Sequence, residues 1–445
     1  MASQNQVQGQ VGERYHTTLV PSTTENKKIS AGICLNMPTT QSACDMNSPP
    51  KHGTATQQLE ARHHVSGLNS RFNGNQLEFS DYVLLNRKMI AQARSGLTSA
   101  NQEKIIEGNA PFEFNPTGNY SKGRTKPYQR GVLLIHGLTD SPYFMRPLGR
   151  FFQENGFRVM AVLLPGHGTQ PGDLLDVRWQ EWAKTVAYGA DKLVTEVDEL
   201  YLAGFSAGGV LSVYQALCDQ RVRGLFLFSP AFSISPKAAR AHLHKPFSWL
   251  FPTAKWVGIM PDRDLYKYES FPKNAASQMH ALTREINEQE LLHKLNLPIF
   301  TAVSADDTTA ETSSTLNFMM RIPHASSKLV LYAADKGEHA LGFPEEKLEL
   351  VNSVAPEHRI LSASHTSIML PPDDKHYGMK GEYSNCTHYF PNEMEKYNEC
   401  INHPDKVLQG EITPQNLAVG TMRRLMFNPN FDKLTRSIRK FIEKL

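Results

Sequence analysis

The chain has 445 residues, 40% of them hydrophobic and 20% charged, with 47 Lys and Arg against 44 Asp and Glu. The resulting +3 excludes a strongly basic nucleic-acid binder and an acidic solvating chain, and the length supports a core that needs no staples. Five cysteines without a C-x-x-C pair exclude a disulfide framework and a zinc ribbon. No apolar run approaches the ~18 residues of a membrane span. The opening Met-Ala-Ser-Gln-Asn-Gln has neither the basic nor the apolar part of a signal peptide. A cytoplasmic location is therefore expected, with export by a signal-independent route left open.

Residues 1–66 are rich in Gln, Asn, Ser, Thr and Gly and show no period of 2 or 3.6, which reads as a disordered polar tail. Residues 67–129 read as a helical extension. Phe79, Tyr82, Val83, Leu84, Met89 and Ile90 give one helix with Ser80 or Asp81 near its start, and Pro111 and Pro116 mark an extended approach to the next element. From 130 onward short, fully apolar runs alternate with helical stretches. The runs cover residues 132–135, 157–164, 200–203, 224–229, 298–303 and 328–332. Runs of this kind are strands covered on both faces, so the fold class is α/β: a mostly parallel sheet with helices on both sides. Its two parts span 130–234 and 296–445. The aromatic-rich stretch 235–295 is too long for a strand connection and reads as an inserted helical cap. Residues 359–364 read as a further strand, and 336–357 as a surface excursion.

Ligands in such sheets sit beyond the carboxyl ends of the strands. Gly204-Phe205-Ser206-Ala207-Gly208 follows the third run and opens a helical stretch, the setting in which G-x-S-x-G presents a serine hydroxyl on a tight turn. By composition alone that pattern recurs in about one chain in seven, so the strand-turn-helix setting carries the weight. The competing reading is a serine N-cap after a glycine turn. His136-Gly137-Leu138 follows the first run. The Leu138 and Ala207 amides are placed to bind an oxyanion, although His136 and Gly137 could simply form a turn.

These residues, with Leu164-Pro165-Gly166-His167-Gly168-Thr169, resemble the α/β-hydrolase fold, and within it the bacterial carboxylesterase and monoacylglycerol-lipase-like serine hydrolases. The resemblance covers roughly residues 80 to 440. It implies Ser206 as nucleophile, an acid after the fifth run and a histidine near the end, with His136, Gly137, Gly204 and Gly208 supporting the motifs. Two acids compete in Ser304-Ala305-Asp306-Asp307. The register of similar hydrolases favours Asp307, with Asp306 as the alternate.

Of 17 histidines, His365 is favoured by the strand reading before it and by the Ser-His-x-x-Ile stretch ahead of Tyr377-Gly378, which resembles the catalytic-histidine region of a group of bacterial hydrolases. His339 has the simpler spacing but stands among Lys336, Glu338, Glu345 and Glu346, a solvated setting; it stays the alternate. His167 reads as structural.

The implied activity is cleavage of carboxylic esters with an apolar acyl or alcohol group through an acyl-enzyme. That chemistry needs no cofactor and no metal. The implied partner is a small-molecule or lipid ester, with no nucleic acid. Two alternatives remain: a lipase, phospholipase or acyltransferase at a lipid surface, and a secreted interaction or effector protein using the fold as a scaffold. Residues 420–445 carry seven Lys and Arg against two acids. They read as a terminal helix covering the sheet, with a weak membrane-surface contact left open. Cys386 and Cys400 read as buried thiols or a local disulfide rather than zinc ligands.

Overall fold

The apolar runs become the centre of one sheet. The structure, a computed structural model, describes residues 58–74, 76–94, 96–117, 125–233, 252–288, 295–334 and 342–445. Among these, eight strands form a sheet in the order β1-β3-β2-β4-β5-β8-β9-β10. They are β1 (Phe112–Phe114), β2 (Tyr128–Ile135), β3 (Phe157–Val162), β4 (Val197–Phe205), β5 (Val222–Phe228), β8 (Ile299–Ser304), β9 (Lys328–Ala333) and β10 (Leu348–Asn352). All pairings are parallel except β1 with β3. Every residue of β3 and β8 is buried, because helices cover both faces. One face packs on Arg146–Glu154 and Phe431–Ile442, the other on Trp179–Glu196 and Ala207–Cys218.

The terminal helix Phe431–Ile442 buries Leu434, Ile438, Phe441 and Ile442 against the sheet. Its apolar face is therefore covered, as the reading of a terminal helix over the sheet expects. No helix among the described residues is long and apolar enough to cross a membrane.

Three sequence expectations change. The stretch 359–364 is not a strand: Ile360 makes only isolated bridges to Ala355 and Gln409, and His365–Ser367 is a short 3-10 turn. The expected excursion 336–357 instead holds β10, whose half-exposed pattern hid it from a search for continuous apolar runs. The insertion is not purely helical. Its described part contains the two-stranded antiparallel pair β6 (Trp256–Gly258) and β7 (Phe271–Pro272) before the helix Lys273–Glu288.

The polar tail is described only from residue 58. Residues 58–66 carry a 3-10 turn, Ala61–His63, and His63 is buried against Trp256, with its Nε2 3.2 Å from Ser270 Oγ. In the extension, helix Phe79–Ala93 buries Tyr82, whose hydroxyl donates to the Leu163 carbonyl at 2.9 Å. Cys386 and Cys400 form a buried disulfide.

Two further parallel strands, β11 (Leu408–Gly410) and β12 (Met422–Arg424), form a separate small sheet.

Candidate active site

Ser206 sits on the turn between β4 and the helix Ala207–Cys218 with φ 54° and ψ −115°. A non-glycine residue at positive φ costs of order 1–3 kcal/mol and persists only where its surroundings fix it. Here the Ser206 amide donates to the Phe228 carbonyl at 2.9 Å, and its carbonyl accepts from Gly209 at 3.0 Å. The flanking glycines are steric necessities: a Cβ on Gly204 would run into the Gly208 carbonyl, and one on Gly208 into the Ile135 carbonyl. The motif thus lets strand β4, its following helix and the end of β2 touch backbone to backbone.

The structure brings Ser206, His365 and Asp307 together although 159 and 58 residues separate His365 from the other two. His365 Nε2 lies 3.0 Å from Ser206 Oγ, and its Nδ1 lies 2.6 Å from Asp307 Oδ2. With the ring proton on Nδ1, that N–H donates to the carboxylate and Nε2 is left to accept from the serine hydroxyl. The other oxygen of Asp307 accepts the Thr309 and Ala310 amides at 2.8 and 2.9 Å. Burial alone would raise this carboxyl, but the adjacent imidazole and the two amides outweigh it and hold it below its ordinary value. Asp306 donates its amide to Ser304 Oγ at 3.1 Å, and it is Asp307, not its neighbour, that meets the imidazole. His339 lies outside the described residues.

The loop after β2 closes the other side. Ala207 opens a helix, where the first amides have no intrahelical acceptor. Leu138 lines the same cavity as Ser206, Ala207 and His365. Gly137 is required because a Cβ there would meet Asp140 and crowd Ser206. His136 is buried, with Nδ1 2.8 Å from the Gly137 carbonyl and Nε2 accepting the Leu164 amide at 3.1 Å. Burial pushes its pKa well down and that of the neighbouring His167 to about 4, so both rings stay neutral braces between the two loops.

The cavity above Ser206 holds about 370 Å³. Its lining includes the apolar Leu138, Ala231, Phe271, Ala276 and Met279 and the polar Thr309, Asn385, Thr387 and Arg424. The inserted segment supplies Lys267, Tyr268 and Glu269. Lys267 Nζ is ion-paired with buried Asp140 and donates to Thr139 Oγ1 at 2.9 Å, tying the insertion to the Leu138 loop. Glu269 accepts the Tyr383 hydroxyl at 2.6 Å and the Arg263 amide at 3.0 Å. Burial dominates over these bonds and pushes its carboxyl up to about 7.

Sequence reasoning missed Glu411 and Arg424. Glu411 is fully buried, and its Oε2 accepts the His365 backbone amide at 2.9 Å. Its Oε1 accepts the Thr308 hydroxyl at 3.0 Å, and Arg424 pairs with it at 2.8 Å. Arg424 also donates to Thr309 Oγ1 at 2.6 Å. One carboxylate thereby spans the loops that carry Asp307 and His365. No local pattern marks Glu411; its partners are remote in sequence.

Residues 126–343 match the family described as Serine aminopeptidase, S33. The chain has the α/β-hydrolase fold. It is 33% identical over 142 residues to a thermostable monoacylglycerol lipase of Bacillus sp. (strain H-257), a match covering 32% of this chain and 52% of that one. It is 25% identical over 197 residues to a carboxylesterase of Bacillus subtilis (strain 168), covering 42% and 75%. The chain thus spans about half the length of the first relative and three quarters of the second. Among solved structures, one described for the metagenome-derived lipolytic enzymes LipS and LipT shares 22% identity at a TM-score of 0.42, over 50% of this chain and 87% of that chain.

Proposed function

We propose that this α/β-hydrolase cleaves carboxylic esters with Ser206 as nucleophile. The observation that carries the reading is the continuous chain Ser206 Oγ, His365, Asp307 at 3.0 and 2.6 Å, opening into the cavity. In this scheme Ser206 Oγ attacks the acyl carbonyl while Nε2 of His365 takes its proton. The Leu138 and Ala207 amides receive the developing oxyanion. The proton then passes from Nε2 to the departing alcohol oxygen, leaving an acyl-serine. Water, deprotonated by the same nitrogen, releases the acid and regenerates the serine. Asp307 keeps the ring proton on Nδ1 and stabilises the charged imidazole. The apolar residues lining the cavity suit an apolar acyl or alcohol group, since such pockets bind by burial. The names of the two Bacillus relatives support an ester rather than a peptide bond as the target.

The test is covalent labelling with a fluorophosphonate, together with an acyl-chain-length series of p-nitrophenyl esters and an amino-acid p-nitroanilide. Labelling at Ser206 that disappears in Ser206→Ala, with turnover of esters and not of the anilide, is the expected result. A well-folded wild type that neither labels nor turns over any ester would sink the proposal.

A further inference from the structure

On β12, neighbouring arginines point to opposite sides, as successive strand residues do. Arg424 faces Glu411 and the active-site cavity. Arg423 lines a different cavity, of about 520 Å³, on the other side of the small sheet. Arg423 is only 7% exposed. Among the described residues no carboxylate pairs with it. Its one side-chain bond there is to Ser384 Oγ at 3.3 Å, and its buried Nε has no acceptor. Burial without a compensating charge pulls the guanidinium below its ordinary value.

A guanidinium removed from water without a counter-charge costs several kcal/mol, and such a group is retained where something pairs with it. The charges around Arg423 balance one another, so its own charge is the net charge of the cavity lining. Arg359 and Lys380 stand at the cavity with Arg423, against Glu357 and Asp405, and His358 lies beside them. Arg359 donates to the Asp405 backbone carbonyl at 2.6 Å, so it is held in place without being neutralised by that contact.

We propose that this cavity is an oxyanion-binding site in which Arg423 receives a phosphate or carboxylate group of a small molecule. The planar fork of arginine matches both groups and can bind either through two parallel hydrogen bonds. Arg359 and Lys380 would add charge from the rim. The site is separate from the Ser206 cavity and does not depend on the esterase reading.

Calorimetric titration of the full chain at pH 7 with inorganic phosphate, with succinate and with chloride at matched ionic strength tests the assignment. Wild type is expected to bind phosphate or succinate with one-to-one stoichiometry and to melt at higher temperature with it, while chloride does neither. A response to phosphate alone or to succinate alone identifies the group. Arg423→Met is expected to weaken binding at least 10-fold. Should Arg423→Met fail to fold, Arg423→Lys, which keeps the charge and loses the fork, is expected to weaken it several-fold. Failure of wild type to bind either anion, or unchanged affinity in whichever folded variant is measured, overturns the proposal. Because binding is the readout, the outcome stands whether or not ester turnover is found.

Discussion

At Ser206 the backbone is bent into a conformation that only its neighbours make tolerable, and the residues that allow it are the glycines of the motif. Those residues are contiguous, which is why the nucleophile candidate is readable from sequence. The choice between adjacent acids is not, because Asp306 and Asp307 differ only in which way the loop turns them. Two amide bonds to Asp307 Oδ1 set that turn. Asp307→Asn would replace an ionised acceptor by a group that no longer favours the Nδ1–H tautomer. It is expected to lower kcat/KM by about 10³–10⁴-fold. Asp306→Asn and His339→Ala are expected to stay within about 3-fold of wild type. Steady-state kinetics on one p-nitrophenyl ester checks all three. Equal loss in both Asp variants would reverse the acid assignment.

The histidine is placed by elements rather than by its own neighbours in sequence. Its turn is anchored by the pair of Glu411, just after β11, with Arg424 of β12 and by the bridge of Ile360 to Gln409. The expected strand before His365 fails for that reason: residues 359–364 border a two-stranded sheet instead of joining the main one. Glu411→Gln retains an oxygen for the His365 amide but leaves Arg424 without its counter-charge. Buried bonds to charged groups are worth roughly 1.5–3 kcal/mol, so kcat is expected to fall about 10- to 100-fold with KM within about 3-fold. Arg424→Lys is expected to lose less than Arg424→Met, a graded response that simple loosening of the fold would not give. A proportional rise in KM instead would make Glu411 a substrate-binding residue.

Across the whole molecule, burial sets how stability responds to pH. Glu269 titrates near 7 when folded against an ordinary 4.5, so between those values the folded chain keeps a proton that the unfolded chain has lost. Stability from this group is therefore greatest below about pH 4.5 and declines as pH rises to about 7, by up to ~3 kcal/mol. Asp307, held below its ordinary value, acts in the opposite sense, and its contribution is lost as pH falls through its folded pKa. Melting temperatures of wild type and Glu269→Gln between pH 5 and 8 isolate the first effect. The variant is expected to show a flatter decline, and parallel curves would remove Glu269 as its source.

What the sequence determined by itself is local. Continuous apolar runs specify the parallel strands, because a strand covered on both faces has no polar side to show. The G-x-S-x-G turn specifies Ser206, because backbone crowding admits only glycine on either side. The tertiary structure alone decided which acid and which histidine meet, that Glu411 and Arg424 brace them, that β10 joins the sheet and that Arg423 is buried without a counter-charge among the described residues. Those outcomes depend on contacts between segments far apart in the chain, and burial and pairing are properties of the assembled surroundings rather than of any residue's neighbours in sequence.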